Sequence, residues 1–599
     1  MVQGDDILVN AGEFILVLAA IINFAAAISG ILLNKKPFAQ KLTNILLITS
    51  VIFITLDMLL LVYYQVHHDF RLVYVYEHTS FDLSPVYLVS ALWAGQEGSL
   101  LLWAVINSWI GFVLWRALNK QNFQNKLVFP SFAVINICII MMALFSQPFK
   151  IMSYVPTEGL GLNLALQDPW MAVHPPLVFI GYSSMAVLFS LGLGTDPKIE
   201  KYCNKTMLRR WALQGLLFLG MGIFTGSLWA YRALGWGGYW AWDPIENAAL
   251  IPWLLLSGIV HGEYTASKAM SRVKYMLPFV MAAFGTFLAR SGMLKDKSIH
   301  AYTGSSLSIP LFAFFAMSVL AILYFSLSEV KRNEINKQYR VISILSILTV
   351  FLYAFAALVF LGTIFPLFSG AKVATVFFNY SALFISIAFT FLFIAECYTS
   401  FKEAFFKVIF TSAVITALIC LSMKFTSLIW LIVLWILFIP LVLWVIKTIS
   451  LKPTLYLKKI KNPFAAVAHA GVMLLILGAV TSTAFSEQRA VLITAGGYTN
   501  LGYGANIDIS QLDLEKNTTI HTIGSDIIIS PAENASSSIE QVVYSTTRPL
   551  IWLFWIGGVL IVLGILGALF KRAGSTFEGI CSPVGFNDQS ASSSSRLSV

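Results

Sequence analysis

Fifteen stretches of about 20 apolar residues recur along the chain, more than any soluble core could absorb. A run of that length crosses the roughly 30 Å of bilayer hydrocarbon as a helix, because a helix satisfies its own backbone hydrogen bonds there. The stretches are 14–33, 44–64, 98–116, 128–146, 175–195, 211–230, 246–264, 275–293, 307–326, 341–365, 375–397, 407–423, 427–446, 465–484 and 550–570. They predict an all-α polytopic membrane protein of about fifteen transmembrane helices. Composition agrees: 58% of the 599 residues are hydrophobic and only 11% are charged. Residues 85–97 are apolar but too short to cross, and are expected along the outer surface.

The loops fix an expected orientation. NKKPFAQK, RALNKQNFQNK, DPKIEKYCNKTMLRR, SKAMSRVK, KRNEINKQYR and KTISLKPTLYLKKIK all fall on one side. About 28 of the 39 Lys and Arg lie on that side, as a cytoplasmic face requires. This puts the N-terminus outside and the C-terminus in the cytoplasm. The net charge of +10 is then a matter of topology, and no nucleic-acid partner is needed to explain it. Asp5, Asp6 and Glu13 precede the first span and Lys35 and Lys36 follow it, the reverse of a cleaved leader. Residues 1–484 are therefore expected to form a membrane domain, and 547–570 a last span. Between them, 485–546 hold short alternating runs (AVLIT, NIDIS, SDIIIS) that predict a small β-rich outer insert. The tail 571–599 is Ser-rich and expected to be disordered. Of the five cysteines none forms a CxxC pair and none falls outside, so no dithiol chemistry is expected of the chain itself.

Residues 235–248, GWGGYWAWDPIENA, lie in an outer loop. Asp243, Pro244 and Glu246 read as a helix N-cap, a first-turn proline and a capping box. Scattered Trp and Tyr would suit a membrane interface. Here they are contiguous and separated by Gly235, Gly237 and Gly238, which suits a surface shaped to a flat ligand.

Four of the eight histidines fall at two levels. His174, in DPWMAVHPPLVF, is expected to cap the outer end of its span, with Pro175 and Pro176 opening the helix. His300 lies just beyond the outer end of another span. His261 is 17 residues after Pro244, about 26 Å along a helix. His469 is 15 residues before the outer end of an antiparallel span, about 22 Å, and so reaches nearly the same depth. A lone intramembrane His often only bridges helices. Two at one level, with two more beside an aromatic bed, favour iron porphyrin held between paired imidazoles at both places. A zinc site is less apt, since the inner pair has no nearby Cys or acidic third ligand. Arg290, near the outer end of its span, suits an anionic propionate.

The stretch Trp236-Gly-Gly-Tyr-Trp-Ala-Trp-Asp-Pro-Ile-Glu-Asn247 resembles the tryptophan-rich WWD signature of haem-handling proteins. Together with WAGQEGSLLLW (93–103), HPPLVFIGY (174–182), RSG (290–292) ahead of His300, AHAGV (468–472) and PLIWLFWIGG (549–558), it resembles the CcmF family of cytochrome c maturation. The resemblance implies haem b as cofactor: His174 and His300 as iron ligands of an outer substrate haem, His261 and His469 as axial ligands of a resident haem within the membrane. It implies contacts to the outer haem from Arg290, Gly237, Gly238 and Tyr239, with Trp236, Trp240, Trp242 and Asp243 as the catalytic group. Tyr239 stands where the family usually has Trp. The implied partners are a CcmE-type haem chaperone, CcmH- and CcmI-type proteins and an apocytochrome c, with quinol a candidate electron donor. The implied place is the bacterial inner membrane, or the mitochondrial one. A haem transporter without lyase activity and a paralogue serving a variant haem motif remain as alternatives. A proton-pumping transporter is disfavoured, because the spans hold few charges, chiefly Asp57, Glu97, Arg290 and Glu396.

Overall fold

The computed structural model describes residues 2–32, 37–120, 127–194, 203–233, 238–262, 268–295, 298, 300–302, 307–330, 344–371, 373–398, 405–422, 427–450, 463–494, 499–500, 506–507, 518–522, 525–531 and 540–575. The long helices are α1 (Val2–Leu32), α2 (Pro37–Val66), α5 (Gln96–Lys120), α6 (Val128–Phe145), α7 (Pro169–Gly194), α8 (Cys203–Ala233), α9 (Pro244–His261), α10 (Lys268–Arg290) and α11 (Ser308–Val330). They continue with α12 (Ile344–Ser369), α13 (Thr375–Tyr398), α14 (Phe405–Ser422), α15 (Leu428–Ser450), α16 (Pro463–Ala484) and α17 (Ile551–Ser575). Short α3 (Val73–His78) and α4 (Pro85–Ser90) lie between α2 and α5, so 85–97 forms a stub and the start of a span.

Every expected span coincides with a helix. Among the described residues, eleven are long and apolar enough to cross a membrane. The expected fifteen is not reached by that measure. The four outside the count are α9, α10, α14 and α15; α9 carries Glu246 and Asn247 at one end and His261 at the other, which lowers its apolarity. The chain is a multi-pass membrane protein, mostly helical, with one small antiparallel sheet.

α7 departs from expectation. It starts at Pro169, so Pro175 and Pro176 lie inside it and His174 sits within the helix rather than at its cap. The reason is local: Asp168 Oδ1 accepts from the Trp170 amide at 2.8 Å, and Pro169 fills the first turn.

α16 and α17 form a tight antiparallel pair around Gly471, Gly478, Gly557 and Gly564. A Cβ at Gly471 would lie 2.7 Å from the Gly557 carbonyl, and one at Gly478 would lie 2.8 Å from Phe554 Cα. Small residues at such spacing let backbones approach where hydrocarbon gives helices no other reason to associate. Replacing Gly478 with Leu should part the helices and cost about 1–3 kcal/mol of packing; a lowered melting midpoint in detergent checks this.

The insert between these two helices is a sheet of order β1-β6-β5-β4, with β1 Glu487–Thr494, β4 Thr518–His521, β5 Ser525–Pro531 and β6 Glu540–Pro549. Two further strands, β2 (Thr499–Asn500) and β3 (Asn506–Ile507), pair separately. AVLIT and SDIIIS are strands, and of NIDIS the first two residues are, the other three lying outside the described residues. Ile527, Ile528, Ile529 and Val543 are buried. The pairing Glu487↔Thr547 closes the sheet directly above α16 and α17. Tyr231 of α8 donates to Asp526 Oδ2 at 2.9 Å, which ties the sheet to the membrane domain.

Candidate functional site

The loop entering α9 is built by its own polar residues. Ile245 N donates to Asp243 Oδ1 at 2.8 Å, while Ala241 N and Asp243 N both donate to Glu246 Oε2, at 2.9 and 3.1 Å. This is a capping box with one extra donor. Its product is a strained tryptophan. Trp242 has φ +58°, a conformation that costs a bulky residue about 1–3 kcal/mol and persists only where its surroundings enforce it. Asn247 Nδ2 donates to the Trp242 carbonyl at 3.1 Å, and the Trp242 indole N–H donates to Asn379 Oδ1 at 2.7 Å. The indole stacks on Phe378 of α13 at 5.2 Å and 13°, with Trp240 edge-on to it at 5.9 Å. Trp236 and Gly237 lie outside the described residues, and Gly238 is buried.

Tyr239 faces elsewhere than expected. Its ring packs on Phe554 at 4.4 Å, and its hydroxyl lies 3.2 Å from both Ser482 Oγ and Thr483 Oγ1 and 3.3 Å from the Ala479 carbonyl. It clamps the loop to α16 and α17 instead of joining Trp240 and Trp242 as a face for a ligand. A hydroxyl both donates and accepts, which an indole in its place would not.

The two outer histidines meet on one face of α8. His174 Nδ1 bonds the Gly222 carbonyl at 2.7 Å, and a Cβ at Gly226 would come within 2.9 Å of its ring. His300 packs edge-on against Trp229 at 5.5 Å. Gly222, Gly226 and Trp229 are spaced i, i+4 and i+7, so both imidazoles lean on the same stripe. The Gly222 carbonyl accepts only an N–H, so Nδ1 of His174 carries the proton and Nε2 keeps its lone pair. His300 Nδ1 stands 3.4 Å from Asp243 Oδ1, an ion-pair distance long for a hydrogen bond, and Ser298 Oγ donates to the same oxygen at 2.9 Å. Burial disfavours both charged forms, but their mutual attraction outweighs it: the Asp243 carboxyl sits below its ordinary value and the His300 imidazole above its own.

The sign of the pH dependence follows. His300, being raised, contributes stability fully present below its unfolded value and lost as pH rises through the raised one. Asp243, being lowered, contributes stability present above its unfolded value and lost as pH falls through the depressed one. A thermal melting profile against pH should therefore show a plateau between those limits, and Asp243→Asn should flatten both flanks while keeping the cap, since Asn caps a helix as well as Asp does.

Arg290 is buried. One guanidinium nitrogen donates to Ser99 Oγ at 2.8 Å, and the group lies over Tyr302 at 4.9 Å and Phe179 at 5.9 Å. It joins WAGQEGSLLLW to the RSG turn. Two features escaped the sequence reading. Trp229 carries no motif of its own, and Asp168, which pairs with Arg232 at 3.0 Å, repeats the Asp-Pro helix start seen at Asp243. His78 stacks on Tyr74 at 4.4 Å.

At the inner level, the rings of His261 and His469 meet with centroids 5.8 Å apart and planes nearly perpendicular, at 81°. Two metal–nitrogen bonds of about 2 Å each between imidazoles call for a centroid separation of roughly 6 Å. His261 Nδ1 bonds Ser257 O at 2.8 Å and His469 Nδ1 bonds Ala465 O at 2.6 Å, which leaves both Nε2 lone pairs available. Exposed His67 makes the same bond to Tyr63, so the hydrogen bond alone singles out nothing; the close approach of the two rings does. No group of three or more His, Cys, Asp or Glu able to hold a metal occurs among the described residues. Two imidazoles without a third donor fit a macrocycle that brings its own four nitrogens, so these residues fit haem.

The site thus combines a helical membrane bundle, a capped aromatic loop ahead of α9, and two pairs of histidines. Residues 93–294 match the family described as "Cytochrome C assembly protein". The chain is 30% identical over 377 residues to the cytochrome c-type biogenesis protein ccl1 of Rhodobacter capsulatus, covering 60% of this chain and 57% of that one. It is 34% identical over 326 residues to CcmF of Escherichia coli (52% and 50% of the two chains) and 33% over 329 residues to NrfE of Haemophilus influenzae (52% and 51%). The chain thus spans about half the length of the curated relatives it matches. A solved structure titled "Cytochrome c Heme Lyase CcmF" has the same fold, with TM-score 0.72 and 19% identity over 94% of this chain and 98% of that one. Over about half of its length the chain is similar to cytochrome c biogenesis proteins of the CcmF and NrfE type, and it shares the fold of the solved one.

Proposed function

We propose that the protein is the haem lyase subunit of cytochrome c maturation, acting at the outer face of a bacterial inner membrane with its N-terminus in the periplasm and its C-terminus in the cytoplasm. The observation that carries this reading is the pair of imidazoles, His261 and His469, meeting inside the bundle at 5.8 Å. A haem held there supplies reversible one-electron transfer, with quinol a candidate source of electrons. His174 and His300 receive the substrate haem from a CcmE-type chaperone, and Trp240 and Trp242 give its ring a flat wall. Holding the porphyrin still raises the effective concentration of its vinyl groups against the apocytochrome thiols. In the bond-forming step a thiol S–H adds across a vinyl C=C: sulfur bonds one carbon and hydrogen goes to the other. CcmH- and CcmI-type partners keep those thiols reduced and presented.

The test is covalent haem on a co-expressed CxxCH protein, read by haem-stained gel and mass, in cells lacking their own lyase. Attachment that depends on this chain supports the reading. Haem bound to the chain with none transferred would make it a transporter.

A further inference from the structure

α2 carries an aspartate where a membrane helix rarely tolerates one. Asp57 has no exposed surface, and neither carboxylate oxygen has a protein partner. Two turns further on the same helix face, Gln65 also has no exposed surface, and neither end of its amide is partnered. On adjoining α1, buried Asn23 has a side-chain oxygen without a partner. Elsewhere in this bundle polar groups find one another: Thr43 bonds Ser29 at 2.9 Å, and Asn107 bonds Asn136 at 2.9 Å. Other buried polar atoms without a partner occur elsewhere, but among the described residues only Asp57 and Gln65 have both polar atoms of a carboxyl or carboxamide unpartnered.

An unpartnered polar group in hydrocarbon costs several kcal/mol. A carboxyl kept at that cost is a functional hypothesis by default. Among the described side chains, the other charged and titratable groups on elements packed against α2 are Glu13 of α1, Glu97, Arg116 and Lys120 of α5, and Tyr87 of α4, and none of them pairs with Asp57. Among the described residues no counter-ion holds it. Gln65 lies in the last turn of α2, beside exposed Val66 and His67, and is about 12 Å from Asp57 along the helix. An amide offers both a donor and an acceptor, as a step between water and a carboxyl requires.

We propose that Asp57 is a proton-exchange site inside the membrane, reached from the Gln65 end of α2. The ligand is a proton carried by water: a carboxylate oxygen takes it up and returns it along the same route, with no other bond made or broken. This site is separate from both histidine pairs and does not depend on the function proposed above.

The experiment is infrared spectroscopy of the full-length purified protein. A protonated-carboxyl band lost in Asp57→Asn is expected, shifting promptly when the sample is moved into heavy water. Gln65→Leu, which keeps the size and removes the amide, should slow that shift several-fold. Should Gln65→Leu fail to fold, labelling of the native protein with a hydrophobic carbodiimide, read by peptide mass, is expected at Asp57 and to be prevented by Asp57→Asn. An unchanged band in Asp57→Asn, a band that never exchanges with heavy water, an unchanged rate in folded Gln65→Leu, or an unlabelled Asp57 would each overturn the proposal.

Discussion

His261→Ala should abolish the b-type absorbance of the dithionite-reduced, purified protein, and His469→Ala should do the same. Removing one imidazole leaves a porphyrin with a single protein ligand and no third donor among the described residues to replace it. Loss of a group that merely orients a metal ligand already weakens affinity by roughly 10–100-fold. Loss of the ligand itself should exceed that and bring the spectrum to background. His67→Ala is the matched control: its ring makes the same backbone bond but stands exposed at the end of α2, so its removal should change nothing. A full reduced spectrum in either inner variant would mean that the 5.8 Å approach of the two rings serves helix packing alone.

The depth of that pair was legible in the sequence because a helix rises by a fixed amount per residue, so counting from Pro244 and from Ala484 places two imidazoles at one level. The capping box was legible for a similar reason: Asp243, Pro244 and Glu246 act on backbone groups a few residues away. The start of α7 was equally available, since Asp168-Pro169 repeats the same signal, but the adjacent prolines 175 and 176 read as a stronger one. Direction and partnership were not legible. That Tyr239 turns toward Ser482 and Thr483, and that His300 settles between Trp229 and Asp243, are choices made by tertiary packing. Nor was the strain at Trp242 readable. Sequence shows an aromatic residue in a loop, and only the flanking amides donating to Glu246 and the Asn247 amide donating to its own carbonyl show that its backbone is held.

His174→Ala should separate the two sites. The ring rests on Gly222 and Gly226 of α8, away from the α9–α16 contact that brings His261 to His469. The reduced b-type spectrum should therefore survive, while covalent attachment to a CxxCH protein falls by about 100-fold or more, as the loss of a metal ligand rather than of its support implies. Because the ring is partly buried against glycines, its removal also leaves a small void, and a general loss of folding would lower both readouts together. Preservation of the inner spectrum is what distinguishes a lost ligand from a lost fold. Gly226→Ala gives an independent check: its Cβ would crowd the ring by 2.9 Å contacts without removing either nitrogen, so attachment should fall part of the way with the inner haem intact. If His174→Ala kept normal attachment, the outer haem would have to be held by His300 and the tryptophans alone, and the role of the α8 stripe as a shared seat for both imidazoles would be lost.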